Sequence, residues 1–264
     1  MLKTRVMTAL VLVPTALALI LFAPWQLVAG ASAALFLLAA WEWSAFLALG
    51  ERQLRLVYVL LTAVLMVLTA VAWRYYHAYE WVIWAGAVWW VIAGLAIAAS
   101  RLPTAPLVAA IGGPLTLIPA WLALNLLLEF APERWILVLV LALVWATDVG
   151  AYFAGKLFGD HALAPVLSPN KTWEGVAGGL LLAGIVSVLA AYVLERDLLT
   201  LLPLAAATAL ISVQGDLLVS AFKRRVGLKD CGTIFPGHGG VMDRFDSLCA
   251  ALPIALATIW LLGV

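Results

Sequence analysis

Charge is what this sequence has least of. Of its 264 residues only 11% are Asp, Glu, Lys or Arg, and 66% are apolar; a soluble domain carries about 25% charge. So little polar surface cannot cover a water-soluble globule, and lipid must be the main solvent. A soluble enzyme, a disordered chain and a secreted disulfide scaffold are excluded. The two cysteines, Cys231 and Cys249, are too few for a framework and read as free thiols. A net charge of +1 offers no basic field, so nucleic acid is not a partner.

What is abundant is hydrophobic length. A spanning helix needs roughly 20 apolar residues, because the hydrocarbon core is about 30 Å thick and each residue rises about 1.5 Å. Runs of this kind cover 6–22, 25–49, 56–73, 81–99, 104–128, 135–155, 173–194, 199–222 and 247–263. The sequence therefore predicts an all-α polytopic membrane protein of about nine transmembrane helices. The second run contains Trp41-Glu42-Trp43 and reads either as one long tilted helix or as a helix broken near Trp41. The first run continues directly into the second. It is therefore read as an uncleaved span, not a signal peptide cut near Ala29-Gly30-Ala31.

Lys and Arg in short loops collect on the cytoplasmic side. With the N-terminus cytoplasmic and the C-terminus on the opposite face, the inner segments hold Lys3, Arg5, Arg52, Arg55, Arg101, Lys156, Lys171, Lys223, Arg224, Arg225, Lys229 and Arg244. The outer segments hold only Arg74, Arg134 and Arg196. A missed or extra span would scramble that split. Trp25, Trp73, Trp81, Trp135, Trp173 and Trp260 fall near predicted span ends, where amphipathic rings settle at headgroup level. Trp89 and Trp90 lie mid-span and read as packing.

Polar residues divide the chain into a transmembrane scaffold, 1–140, and a charge-bearing transmembrane region, 141–264, the candidate for any chemistry. The first holds little inside its spans besides Glu42 and Asn125, with Gly112-Gly113-Pro114 marking a kink or a close helix approach. The second concentrates charge: Asp216, Lys223, Arg224, Arg225, Lys229, Asp230, Asp243, Arg244 and Asp246 fall within one short stretch. Asp216 interrupts an apolar run, and an acidic residue inside a span is costly unless it faces a polar cavity. On a helix, Asp216, Ser220 and Lys223 share one face. A buried Asp–Lys pair that only locks two helices is the plainer reading of that face.

Glycines at 232, 237, 239 and 240 give a backbone able to turn sharply and present N–H groups to phosphate. A helix then begins near Asp243, with Asp243 and Asp246 on one face of its first turn. Paired carboxylates beside a basic cluster suit a hard divalent cation that in turn holds phosphates. Favourable charge at a helix N-terminus would explain one Asp but not Arg244 between them. Asp148, Tyr152 and Lys156 repeat at helical spacing on the sixth run. Ser168 to Gly175 opens the seventh, where Glu174 suggests a capping box, and Asn170 and Lys171 serve either that cap or a base or phosphate.

These residues resemble the signature of the CDP-diacylglycerol synthases, the phosphatidate cytidylyltransferases. The likeness runs through Ser220-Ala-Phe-Lys-Arg, Lys229-Asp230, Pro236-Gly-His-Gly-Gly and Asp243-Arg244-Phe245-Asp246. It extends to Ser168-Pro-Asn-Lys-Thr-Trp-Glu-Gly and to Asp148-Val-Gly-Ala-Tyr-Phe-Ala-Gly, and covers 145–250. The resemblance implies a bacterial inner-membrane dimer with its active site facing the cytoplasm. Its reaction converts CTP and phosphatidate, drawn from the membrane lipids, to CDP-diacylglycerol and pyrophosphate with Mg²⁺ in a two-cation site. Asp216, Asp243 and Asp246 would hold metal and, with Lys223, carry the catalysis. Ser220, Arg224, Lys229, Asp230, Arg244, Asn170, Lys171 and Asp148 would bind substrate. A phosphate monoester is already anionic at neutral pH, so no strong base is needed and His238 is not required as one. Two rivals stay open: another membrane transferase or kinase using CTP with a different lipid acceptor, and an ion-coupled transporter.

Overall fold

The computed structural model describes residues 2–99, 104–129, 134–234 and 239–263. Nine α-helices lie within them: α1 (Leu2–Phe22), α2 (Trp25–Trp43), α3 (Arg52–Tyr76), α4 (Glu80–Ala98), α5 (Pro106–Glu129), α6 (Trp135–Phe158), α7 (Trp173–Val193), α8 (Leu198–Arg225) and α9 (Met242–Leu262). Each predicted run coincides with one helix. Eight of them, α2 to α9, are long and apolar enough to cross a bilayer, and α1 contributes the shorter apolar stretch Val13–Phe22. Helices α3 and α9 start earlier than their apolar runs, at Arg52 and Met242. A run ends at its first charge, whereas Arg, Gln and Met are good helix formers and prolong the turn.

The question at Trp41 resolves without a break. Helix α2 continues to Trp43, tightens into a 3-10 turn at Ser44–Leu47 and stops at Ala48, whose φ of 54° is left-handed. Arg55 fastens this turn. Its guanidinium donates to Ser44 Oγ at 2.7 Å and to the Trp41 carbonyl at 2.8 Å, and lies 4.2 Å from the centroid of the Trp41 ring. Below it, Trp43, Phe46 and Phe222 form a fully buried cluster with ring centroids 5.2 to 5.7 Å apart. The Trp43 indole donates to the Ala109 carbonyl at 2.8 Å, beside Gly112-Gly113-Pro114, so that motif marks a close approach of α2 to α5.

One element lies outside the all-α reading. Ala162–Ala164 (β1) and Ser168–Thr172 (β2) pair antiparallel, Ala162 opposite Thr172 and Ala164 opposite Ser168. The segment 168–175, read as the opening of a helix, is strand until Thr172. The polar run Ser-Pro-Asn-Lys-Thr pairs its backbone with β1 before Thr172 caps α7, its hydroxyl accepting from Gly175 N at 3.1 Å. The Thr172 cap replaces the predicted capping box. Glu174 turns instead to His161.

The helix ends sort into two groups. At one end Arg74 bonds Glu129 and lies over Trp25 and Trp73, Arg134 donates to the Ile20 and Ala23 carbonyls at 2.6 Å, and Arg196 lies over Trp135. These are the three arginines assigned to the outer segments. The opposite end gathers the last turns of α2, α6 and α8, the hairpin and the first turn of α9. Helix α9 is central, packed against α8, α5, α4, α6 and α2.

Helices α6 and α7 form the most extensive pair. Their seam is built from glycine: a methyl on Gly179 would stand 2.9 Å from the Thr147 carbonyl oxygen and 3.0 Å from its Cγ2. Small residues allow such close backbone approach in lipid. Gly179→Val is expected to destabilise the folded protein by about 1–3 kcal/mol, read as a lower thermal midpoint in detergent. Gly184→Val, at a position with nothing within 4 Å of an added Cβ, should leave the midpoint unchanged.

Candidate active site

Two lysine–aspartate pairs organise the charge-dense end. Lys223, in the last turn of α8, reaches Asp243 in the first turn of α9, with Nζ 2.9 Å from Oδ1. Their side chains are 13% and 4% exposed, so this ion pair is essentially removed from water. Lys171, at the end of β2, reaches Asp216 of α8, with Nζ 2.8 Å from Oδ2, and also donates to the Val213 carbonyl at 3.3 Å. Asp216, Ser220 and Lys223 share the expected face, and Ser220 donates to Asp216 Oδ1 at 3.1 Å. The lysine paired with Asp216, however, comes from the hairpin. Lys223 turns to the next helix.

Asp243 is held from three directions. Besides Lys223, its Oδ2 accepts from Cys231 N at 2.7 Å and Gly240 N at 2.9 Å. The glycine-rich loop thus folds its N–H groups around a side chain of the protein. Asp246, one turn on, is buried and accepts from Ser247 N at 2.8 Å. It lies within electrostatic reach of Asp216, Lys223 and Lys171. Helices α8 and α9 touch at Gly215, which sits against the Asp246 carbonyl and so brings the two carboxylates to one seam. Asp148 of α6 faces the same group, interacting with Lys171, Asp216 and Arg244. Its helical companions do not: Tyr152 and Lys156 are exposed and pair with each other, the ammonium 5.8 Å from the ring centroid.

Around this core Asn170, Arg224, Lys229, Asp230 and Arg244 are exposed. His238 lies outside the described residues, as do Pro236 and Gly237. Cys231 and Cys249 are free thiols, as expected. Burial, reinforced by the Asp243 charge, pushes the Cys231 thiol well above its ordinary range.

Glu42 stands out from the sequence as the one acid within the spans of the first half, yet its surroundings were not legible there. Its carboxylate accepts from Val241 N at 3.0 Å and Met242 N at 2.7 Å, linking the end of α2 to the start of α9.

The donor set suits a hard divalent cation. Asp216 and Asp246 bring two carboxylates to one seam, and carboxylate oxygens are the ligands such ions take. Among the described residues no three Asp, Glu, His or Cys side chains converge closely enough to enclose an ion. A cation here would complete its shell with a ligand's own oxygens, which is the usual mode for Mg²⁺.

Comparisons with known proteins agree in one direction. The model of the Cytidylyltransferase family matches residues 3–262. A phosphatidate cytidylyltransferase of Pseudomonas aeruginosa is 39% identical over 282 residues, covering 100% of this chain and 98% of that protein. One from Haemophilus influenzae is 38% identical over 279 residues, covering 96% of each. One from Staphylococcus aureus is 47% identical over 114 residues, 42% of this chain and 44% of that protein.

The hairpin that carries Lys171 is tied down at its base by His161, whose Nδ1 lies 2.6 Å from Glu174 Oε1 and whose backbone N–H donates to Oε2 at 3.2 Å. The hydrogen bond and charge of Glu174 raise the His161 pKa above its ordinary 6.5. A raised value favours the protonated, paired form, so the pair is complete below the ordinary value and is lost as pH rises through the raised one. In a histidine NMR titration of the folded protein, His161 should titrate above 6.5, and Glu174→Gln should move its midpoint down.

Proposed function

We infer the function from one premise: the chain belongs to the Cytidylyltransferase family. It transfers the cytidylyl group of CTP to phosphatidate, giving CDP-diacylglycerol and pyrophosphate for phospholipid synthesis. The observation that carries this reading is a set of paired lysines and aspartates at the lipid boundary, in a chain similar along nearly its whole length to phosphatidate cytidylyltransferases. Polar groups gather at one end of the helices, whereas a transporter needs them through the bilayer depth.

The chemistry brings polyanions together. A phosphatidate oxygen must approach the α-phosphorus of CTP in line with the departing pyrophosphate, so positioning and charge neutralisation supply most of the catalysis. Lys223 and Lys171 sit where phosphate oxygens would compete with Asp243 and Asp216 for their ammonium groups. Arg224, Lys229 and Arg244, with Asn170 and Asp230 beside them, are exposed to receive the nucleotide, and Arg offers bidentate contacts to phosphate. Ser220 holds Asp216, and Asp148 balances Lys171 and Arg244. Asp216 and Asp246 at the seam, joined by Asp243 once phosphate draws Lys223 away from it, would hold Mg²⁺, which when bound would neutralise phosphate charge and polarise the α-phosphorus. A second cation rests on the family resemblance alone. The nucleophile needs no base, since a phosphate monoester carries its charge at neutral pH.

The remaining parts of the proposal rest on sequence. The excess of Lys and Arg at the site end supports placing it in the cytoplasm and the protein in the bacterial inner membrane. CTP then arrives from water and the acyl chains from the bilayer. Residues 141–264 carry the chemistry and 1–140 support it. Homodimerisation rests on the family resemblance alone.

Purified protein in detergent with CTP, phosphatidate and Mg²⁺ should release pyrophosphate and CDP-lipid in equal amounts. No product from folded protein would sink the proposal. Asp216→Asn and Asp243→Asn should each abolish turnover in protein that still elutes as a folded species, and Cys231→Ala should be nearly silent. Near-normal turnover in either aspartate variant would overturn the metal assignment. A C-terminal reporter should prove non-cytoplasmic when the protein is expressed in a bacterial inner membrane.

A further inference from the structure

We propose that Glu42, from the scaffold half of the chain, is a positioning residue for the transfer reaction: its carboxylate is the post against which Gly232, Gly240 and the start of α9 are set, and it thereby sets Asp243. The inference rests on the function proposed above and assigns no substrate contact to Glu42.

The first helical N–H groups of α9 have no partner within their own helix. The N-cap residue, Val241, has no side-chain oxygen to supply one, and no capping bond forms from it. Glu42 supplies both oxygens from another helix, one to Val241 N at 3.0 Å and one to Met242 N at 2.7 Å. A carboxylate at a helix N-terminus also meets the positive end of the helix dipole. The residue is only 3% exposed, so these bonds are made out of water, where an unmet N–H is costly.

The loop is shaped to admit this carboxylate. A methyl group on Gly240 would overlap both Glu42 oxygens, and one on Gly232 would overlap Oε1. Both glycines border the Glu42 carboxylate, so it occupies a socket that only glycine leaves open. The neighbouring N–H groups, those of Cys231 and Gly240, go to Asp243. Two carboxylates therefore divide the N–H groups of residues 240–242 between them, and Cys231 N joins Asp243. Glu42 takes the N–H groups of residues 241 and 242, and Asp243 takes those of 231 and 240 and then Lys223. Loss of the first anchor frees the backbone that fixes the second. Behind Glu42, the Arg55 contacts to Ser44 and Trp41 and the buried Trp43 ring keep the end of α2 rigid.

The test compares Glu42→Gln, Gly240→Ala and Gly184→Ala with the wild type in two measurements: steady-state kinetics with CTP and phosphatidate, and the rate of maleimide labelling at Cys231, mapped by mass spectrometry. Gln keeps the shape but turns an NH₂ toward one of the two backbone donors, and Gly240→Ala crowds the same socket from the loop side. Misplacement of this kind should lower kcat about 10- to 100-fold, with KM for CTP changed less than about twofold. Half-buried Cys231 should label faster in both variants, while fully buried Cys249 stays unlabelled and Gly184→Ala behaves as wild type. Wild-type kcat in both socket variants would overturn the proposal. So would a fall in kcat with unchanged Cys231 labelling, or a loss expressed mainly in KM. If Glu42→Gln does not fold, Gly240→Ala decides by the same criteria. If the wild type makes no CDP-lipid, the function fails, and the labelling arm alone still decides whether Glu42 holds the loop.

Discussion

The ion pair between Lys223 and Asp243 is the constraint from which the arrangement of the site follows. Both side chains are almost fully out of water, and removing one partner of such a pair costs about 3–5 kcal/mol because the other is left buried and uncompensated. The pair therefore dictates its surroundings. Helices α8 and α9 must come close, the loop between them must turn its N–H groups inward, and something must satisfy the next N–H groups of α9. That last demand reaches across to Glu42. A site made from the second half of the chain thus depends on an acid in the first fifth.

Much of the architecture was legible because the bilayer makes the rules simple. Backbone polar groups must be satisfied within each span, so run length alone located nine helices. The Lys and Arg split grouped Arg74, Arg134 and Arg196, and these do cap and stack at one end of the bundle. Asp216 was conspicuous because an acid inside a span is expensive, and Asp243 and Asp246 because they share one face of a helix start beside a basic cluster.

What escaped the sequence was partner choice. Helical spacing put Lys223 beside Asp216, yet a hairpin lysine took Asp216 and freed Lys223 for Asp243. Spacing reports which residues share a face and says nothing of what another element brings to it. The hairpin itself was hidden for a related reason: three and five residues with no alternation give no periodic signal, and only pairing makes them strands. Glu42 was visible as an anomaly. Its role was not, since the sequence places it about 200 residues from the N–H groups it satisfies.

These pairings bear on how a charge-dense site can exist at a lipid boundary before any substrate arrives. Lys171 and Lys223 both already sit on carboxylates. An unpaired ammonium in that half-dry setting would lose its charge or draw in water, so the aspartates keep the lysines charged and aimed. On the proposed function, an incoming polyanion meets exposed Arg224, Lys229 and Arg244 first and exchanges for the aspartates only deeper in. Each lysine that turns to phosphate releases a carboxylate. Those carboxylates are hard oxygen donors and would then be free for a cation that phosphate oxygens also bind. The same side chains thus neutralise one another at rest and, on the proposed function, would provide a cation for phosphate and an anion for metal.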